Sequence, residues 1–253
     1  LAKALVNQKI YVDLIFKTKK NKINKSRTLG ISRSNVDFIN KNIVEIDKVL
    51  WKLKKIEIFT DNLEKEKLLN FEDNSQYLFS IVRNYKFYEV LEKSLSNNKY
   101  FKQLKSIKKE SFYENYDLIF NTEINNYITK KYFSKKIRKK YNSFAFTTVI
   151  KHEEIKNDTA VQIFTKHGPL AFLPISNSET SIVYSFHNPK NYKKINISEE
   201  IYKYNFKYKI KKVETIESFY LEALSLRSYY KNKILAFGDL LHRVHPLAGQ
   251  GFN

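Results

Sequence analysis

Phe237-Gly238-Asp239-Leu240-Leu241-His242-Arg243-Val244-His245-Pro246-Leu247-Ala248-Gly249-Gln250-Gly251-Phe252-Asn253 is the stretch whose reading decides the fold. The residues before it, Ile234-Leu235-Ala236-Phe237, read as a buried strand. That strand delivers the Asp239 carboxylate to the carboxyl edge of a sheet, where open α/β folds bind ligands. A carboxylate at that edge suits sugar hydroxyls. Gly249 and Gly251 flank Gln250 without β-carbons, so backbone N–H groups there can approach a flat ligand closely. These amides would open a helix, whose positive end favours an electron-rich or anionic group.

Working outward, Leu1 to Val6 reads as the end of a helix, and Ile10, Val12, Leu14 and Phe16 alternate as in a strand. Helix then strand suggests the interior of a βαβ unit. Ser26-Arg27-Thr28-Leu29-Gly30-Ile31-Ser32 leads into an expected helix through Val36, Ile39 and Ile43, and Lys54 to Thr60 is a short strand. Tyr77 to Val82 is expected to lead into a helix whose stripe is Tyr85, Tyr88, Leu91 and Leu95. Tyr116 to Phe120 reads as a buried strand. Phe144–Ile150, Val161–Phe164, Leu170–Ile175 and Ser181–Phe186 are rich in branched and aromatic residues and predict an antiparallel sheet, with a hairpin turn at Asn177-Ser178-Glu179. Glu214 to Tyr229 is expected to be helical, with Phe219 and Leu226 on its apolar side. The fold class is therefore α/β (α+β), with an interleaved pair of domains.

The composition narrows the chemistry. There is no cysteine, which excludes disulfides, thiolate metal sites and cysteine nucleophiles, so redox chemistry must come from a cofactor. His242 and His245 are spaced to share a helical face, but no third ligand accompanies them, and no metal site is expected. The net charge of +20 invites a nucleic-acid reading. Yet only six of the 46 basic residues are arginine, the residue specific recognition leans on. Abundant Lys, Asn, Ile, Tyr and Phe fit the codon drift of an AT-rich genome better, and no nucleic-acid partner is expected. Without a long apolar run or a signal-peptide pattern, the expectation is a cytoplasmic protein. The lack of any methionine suggests a sequence cut at its start, and the Gly249–Asn253 turn suggests one cut at its end.

The segment Gly238-Asp239-x-x-His242-x-x-His245-Pro246-Leu247-Ala248-Gly249-Gln250-Gly251-Phe252-Asn253 resembles the second flavin-binding motif of the FAD-dependent aromatic hydroxylases, in their ubiquinone-biosynthesis branch. Arg27 in Ser26–Ser32 is similar to that family's Asp-x-Arg arginine, which lies near the flavin. His167-Gly168-Pro169-Leu170-Ala171-Phe172-Leu173-Pro174-Ile175 resembles the strand that floors its substrate pocket, and Phe79 to Leu95 resembles its helix after a Val-x-Asn-like step. The resemblance implies that Gly238 and Asp239 hold the ribityl chain of FAD, and that Pro246, Leu247, Ala248, Gly249, Gln250, Gly251 and Asn253 line the ring system. Arg27 would lie beside them, and Pro169, Leu170, Phe172 and Pro174 would line the substrate pocket.

It further implies that NAD(P)H and O2 are the co-substrates, that a polyprenylated phenol is hydroxylated, that the protein makes peripheral contact with the inner membrane and with other ubiquinone-biosynthesis proteins, and that no protein nucleophile is needed. Residues 1–48, 76–130 and 231–253 would form a partial FAD-binding domain, and 49–75 and 131–230 the substrate domain. The departures are specific. No Gly-x-Gly-x-x-Gly is present, Phe16 stands where the family carries an acidic residue, Glu123-Ile124 replaces an Asp-Gly step, and Leu240-Leu241 replace two alanines. They define a second reading, a non-catalytic family member serving as an interaction subunit. A basic nucleic-acid-binding protein is the third.

Overall fold

The computed structural model describes residues 1–15, 25–61, 66–73, 75–104, 110–187 and 196–243. Helix α1 (Ala2–Asn7) runs into β1 (Val12–Ile15), which pairs in parallel with β7 (Phe101–Leu104). A second parallel pair joins β16 (Ile234–Ala236) to β8 (Ile119–Asn121), with β15 (Tyr230–Lys231) antiparallel on β16. Around Ile234 and Ala236 a core gathers from Ile128 of α4 (Tyr127–Tyr132), Phe133, Leu226 and Leu240.

A three-stranded antiparallel sheet runs in the order β2 (Thr28–Ser32), β6 (Phe79–Arg83), β3 (Leu50–Leu53). Helix α2 (Arg33–Asn42) starts where the Ser32 side chain accepts the Asn35 N–H, an N-cap that satisfies one orphan donor. It buries Val36 and Ile39 against Ile31 and Val82, with Phe87 and Val90 of α3 (Asn84–Leu95) closing the cluster.

Among the described residues the large sheet holds nine strands. Its path is β17 (His242–Arg243), β14 (Glu217–Leu226), β9 (Lys136–His152), β12 (Glu179–His187), β11 (Gly168–Pro174), β10 (Thr159–Thr165), β4 (Lys55–Thr60) and β5 (Lys67–Glu72), with β13 (Ile210–Val213) also pairing β9. All pairs are antiparallel except β4 with β10.

Strand alternation gives the large sheet two faces. On one, Phe146, Ile150, Val161, Leu170, Phe172, Ile182 and Tyr184 pack under Ile197 and Ile201 of α5 (Ile197–Tyr204) and against Tyr208. On the other, Ala160, Leu173 and Ile175 meet Leu53, Ile81, Trp51 and Phe79 of the small sheet. Each fully buried Ile, Leu or Phe contributes about 1.5–3 kcal/mol, so covering both faces is what holds the two sheets together.

Three expectations need correction. Glu214 to Tyr229 is not a helix: Glu217–Leu226 is strand β14, paired with β9 over ten positions. Phe219 and Leu226, seven apart, satisfy a helical spacing, but Phe219 and Leu221 alternate as on a strand, and the cross-strand partners on β9, with a register shift between Leu221 and Glu222, decide for the strand. Tyr77 to Val82 does lead into the expected helix, as strand β6, which runs straight into α3 and is also the middle strand of the small sheet. On α3 the inward stripe is Phe87, Val90 and Leu95, whereas Tyr88 is exposed. The strand expected from Tyr116 begins only at Ile119, and the Tyr116 hydroxyl instead donates to Asp13.

The core carries a pH signature. Burial pushes the Tyr184 and Tyr208 hydroxyls up to about 12. The folded state thus keeps protons that the unfolded chain releases near pH 10. Stability is fully present below about pH 10 and is lost as pH rises toward 12, by roughly 2–3 kcal/mol for each tyrosine. Burial pushes Lys207 down, which acts in the opposite sense and is complete by about pH 10.5, the unfolded lysine value. Urea unfolding curves at rising pH are expected to show the midpoint falling only above about pH 10. The fall should shrink in Tyr184→Phe and Tyr208→Phe; an unchanged fall in both would contradict the assignment.

Candidate functional site

Strand β16 ends at Ala236, and a single helical turn, Gly238–Leu240, follows at once. Gly238 has φ +63, and a β-carbon built there would meet nothing within 4 Å. The turn therefore opens outward at the carboxyl end of a strand paired in parallel with β8. Leu240 anchors the turn from below, being fully buried. Asp239 points away from that anchor: its side chain is 78% exposed, and Arg243 Nη2 lies 3.7 Å from Oδ2. Arg243 also reaches Glu222 at 3.5 Å, and its Nε is buried without an acceptor among the described residues.

An exposed carboxylate, an open glycine turn and an adjacent guanidinium fit a ligand carrying hydroxyls and an anionic linker. Residues Pro246, Leu247, Ala248, Gly249, Gln250, Gly251 and Asn253 lie outside the described residues, as do His245 and Phe16.

Arg27 approaches from the small sheet. Its carbonyl accepts the Asn84 N–H, and its exposed guanidinium stands 4.4 Å over the Phe219 ring. Phe219 pairs with Ala145, on the sheet face opposite the one under α5. Thr28 and Ser181 hydroxyls meet at 3.0 Å on that face, Ser26 and Thr147 at 3.2 Å, and Arg83 pairs with Glu179. Beside these contacts a cleft of about 340 Å³ opens between the sheets, reaching Lys25, Val149, Lys151 and Glu217. No hydrogen bond or ion pair among the described residues joins Arg27 to Asp239.

The four expected pocket residues do not share a face. Leu170, Phe172 and Pro174 lie on the face under α5, with Leu170 and Phe172 in its core, while Pro169 alternates onto the cleft face with Ala171 and Leu173. A period of two is the reason: residues of opposite parity on one strand cannot floor the same pocket. Phe219, Thr147 and Ser181, which the sequence reading did not single out as site residues, do face the cleft side. The alternation within Ser181–Phe186 and Phe144–Ile150 was the signal available for them.

The Glu123-Ile124 departure also has a structure. Asn121 Nδ2 donates to Thr129 Oγ1 (2.7 Å), Asn126 Nδ2 donates to Asn121 Oδ1 (2.6 Å), and Thr129 Oγ1 donates to the Glu123 carbonyl. This turn satisfies its own polar groups at the end of β8. Among the described residues no group of three or more His, Cys, Asp and Glu side chains could hold a metal. No described helix is long and apolar enough to cross a membrane.

No family model matches the chain. Among characterised proteins it is 27% identical over 141 residues to the mitochondrial ubiquinone biosynthesis monooxygenase of Danio rerio, covering 40% of this chain and 29% of that protein. It is 24% identical over 120 residues to the ubiquinone hydroxylase UbiL of Rhodospirillum rubrum, covering 45% and 28% respectively. The chain thus spans under a third of the length of these relatives. Among solved structures it superposes on PqsL, a probable FAD-dependent monooxygenase of Pseudomonas aeruginosa, with a TM-score of 0.75 at 12% identity, covering 100% of this chain and 78% of that one. The p-nitrophenol 4-monooxygenase PnpA of Pseudomonas putida gives 0.75 at 10% identity, covering 99% and 71%. Over its whole length the chain has the fold of the FAD-dependent aromatic monooxygenases, and over two-fifths of it a sequence likeness to their ubiquinone-biosynthesis branch.

Proposed function

We propose that this chain is part of an FAD-dependent monooxygenase that hydroxylates the electron-rich ring of a polyprenylated phenol in ubiquinone biosynthesis, with NAD(P)H as co-substrate. The observation that carries the reading is the open Gly238-Asp239 turn at the carboxyl end of a parallel strand. Asp239 would accept the ribityl hydroxyls, and Arg243 would offset the charge of the linker. Arg27 would place a fixed positive charge over the cleft, and the amides of Pro246 to Gly251, with Asn253, would hold the ring system. When bound, FAD would supply the redox chemistry by which hydride from NAD(P)H and one molecule of O2 place one oxygen atom on the substrate ring and release the other as water.

The protein's own work is to bind, orient and exclude water. Pro169, Ala171 and Leu173 would present the cleft face of β11 to the substrate, while Leu170, Phe172 and Pro174 would stiffen that strand from behind. The flavin unit would comprise 1–48, 76–130 and 231–253, and the substrate unit 49–75 and 131–230. Contact with the inner-membrane face and with other ubiquinone-biosynthesis proteins follows from such a substrate.

The second reading, a fold-retaining subunit without FAD, is favoured by one observation, the self-satisfied turn at Asn121 to Thr129. Titrating the full-length parent protein with FAD and following visible absorbance separates the two. Uptake is expected, with affinity falling roughly 10- to 100-fold in Asp239→Ala, the worth of one charge-assisted hydrogen bond of about 1.5–3 kcal/mol. No uptake by the full-length protein would favour the subunit reading.

A further inference from the structure

The large sheet ends at β5, whose only strand partner among the described residues is β4, and all six of its residues are exposed. An uncovered edge strand offers a row of unpaired N–H and C=O groups to another strand. Most edges are blunted by charge. This one carries Leu68, Leu69 and Phe71, about half exposed each. Leu69 and Phe71 pair with Ile58 and Ile56 on β4, and Phe164, 41% exposed, extends the same apolar face from β10.

We infer that β5 is the contact through which two copies of this chain associate, edge to edge and antiparallel, about a two-fold axis at Asn70. The pleat selects that register. An axis perpendicular to the sheet preserves faces, so opposed residues must share parity. With the axis at Asn70, Leu69 opposes Phe71 of the second copy and Phe71 opposes its Leu69. Two apolar cross-strand pairs then form on the face that already carries Ile56, Ile58 and Phe164.

Charge agrees on the other face. Within one copy Lys55 bridges Glu57 and Glu72 at 3.3 Å, and Lys67 meets Glu57 at 2.7 Å. The axis sets Glu72 of one copy against the Lys67-Leu68 end of the other, so the row of alternating sign continues across the interface. A parallel pairing would oppose like charges instead. Six residues a side is well below the roughly 1,600 Å² of ordinary stable complexes, so the dimer is expected to form only at micromolar concentration or above.

The chain has no cysteine, so a single one reports the axis without background. In the two-fold arrangement the two Asn70 Cα atoms are about 4.5–5.5 Å apart, within disulfide reach. Asn70→Cys is expected to oxidise to a covalent dimer in most of the protein. Lys67→Cys, whose two copies lie about 20 Å apart, is expected not to cross-link. Sedimentation should show the parent dimerising with concentration and Leu69→Lys/Phe71→Lys remaining monomeric, with unchanged circular dichroism because both side chains are exposed. A parent that stays monomeric, or a dimer that cross-links through position 67 as well as 70, would overturn the inference. Both readouts are independent of flavin binding.

Discussion

A Gly168→Ala chain is expected to be largely unfolded at room temperature, or to lose at least about 4 kcal/mol of the 5–15 kcal/mol typical of a folded domain. Gly168 has φ +137, a conformation that L side chains rarely adopt, and a β-carbon built there would stand 2.1 Å from the Ser185 carbonyl oxygen. Neither group can yield cheaply. Ser185 is buried in β12 and paired with Ala145 on β9, and the Gly168 carbonyl accepts the Thr165 hydroxyl at 2.8 Å. The His187 N–H also donates to the His167 carbonyl, locking the hairpin end to β12. Relief would require sliding β11 against β12, which would move Pro169, Ala171 and Leu173 from the cleft face and carry a functional loss along with the structural one. Urea unfolding and amide exchange across β11 and β12 check this. A Gly168→Ala protein melting within a few degrees of the parent would show that the close approach to Ser185 is not real.

How much of this was legible in the sequence depends on how local each feature is. Phe144 to Phe186 announced its four strands because branched and aromatic residues crowd a pleated surface and Asn177-Ser178-Glu179 supplies a turn. The turn at Gly238-Asp239 was legible for the same reason, since a strand followed directly by glycine leaves few conformations. Glu217–Leu226 was not legible, because its apolar spacing fits both periods and only its pairing with β9 makes it a strand. Lys67–Glu72 gave no signal at all: no residue in it is buried, so nothing forced a periodic pattern. At the site, the family likeness named the strand Gly168–Pro174 but not its faces, and alternation then separated Pro169 from Leu170, Phe172 and Pro174. Thr147, Ser181 and Phe219 lie on the sheet face beside the cleft and meet the small-sheet segment through contacts between residues distant in sequence, which no window of local pattern contains.

Asn157→Leu is expected to cost about 3–5 kcal/mol although it conserves volume and adds hydrophobicity, because Asn157 is the centre of a buried polar hub. It is 1% exposed, and its Nδ2 donates to the Ser176 carbonyl at 2.9 Å and to Thr180 Oγ1 at 3.0 Å. Its Oδ1 accepts from the Tyr208 hydroxyl at 3.0 Å and from Lys207 Nζ at 3.3 Å. His152 leans on the same hub, with Nε2 3.0 Å from Thr180 Oγ1 and its ring 4.4 Å from that of Tyr208. The Asn157 backbone carbonyl meanwhile takes the Trp51 indole N–H at 2.7 Å, so the hub ties the small sheet to the far face of the large one. Leucine would take Asn157 from the buried Tyr208 hydroxyl, leaving it Thr180, remove the donor to the Ser176 carbonyl, and deprive a half-buried ammonium of one of its two acceptors; the Thr159 carbonyl would remain. Each stranded group costs about 1–3 kcal/mol, more than the added apolar contact returns. The diagnostic is non-additivity. Tyr208→Phe should destabilise the parent, but less so the Asn157→Leu background, where the hydroxyl has already lost Asn157 and keeps only Thr180. A coupling energy of about 1 kcal/mol or more from urea curves of the four proteins is expected. Strict additivity would mean that Tyr208 and Asn157 act separately, and that the packing of Tyr208 against Phe172, not its hydroxyl, is what holds that end of the sheet.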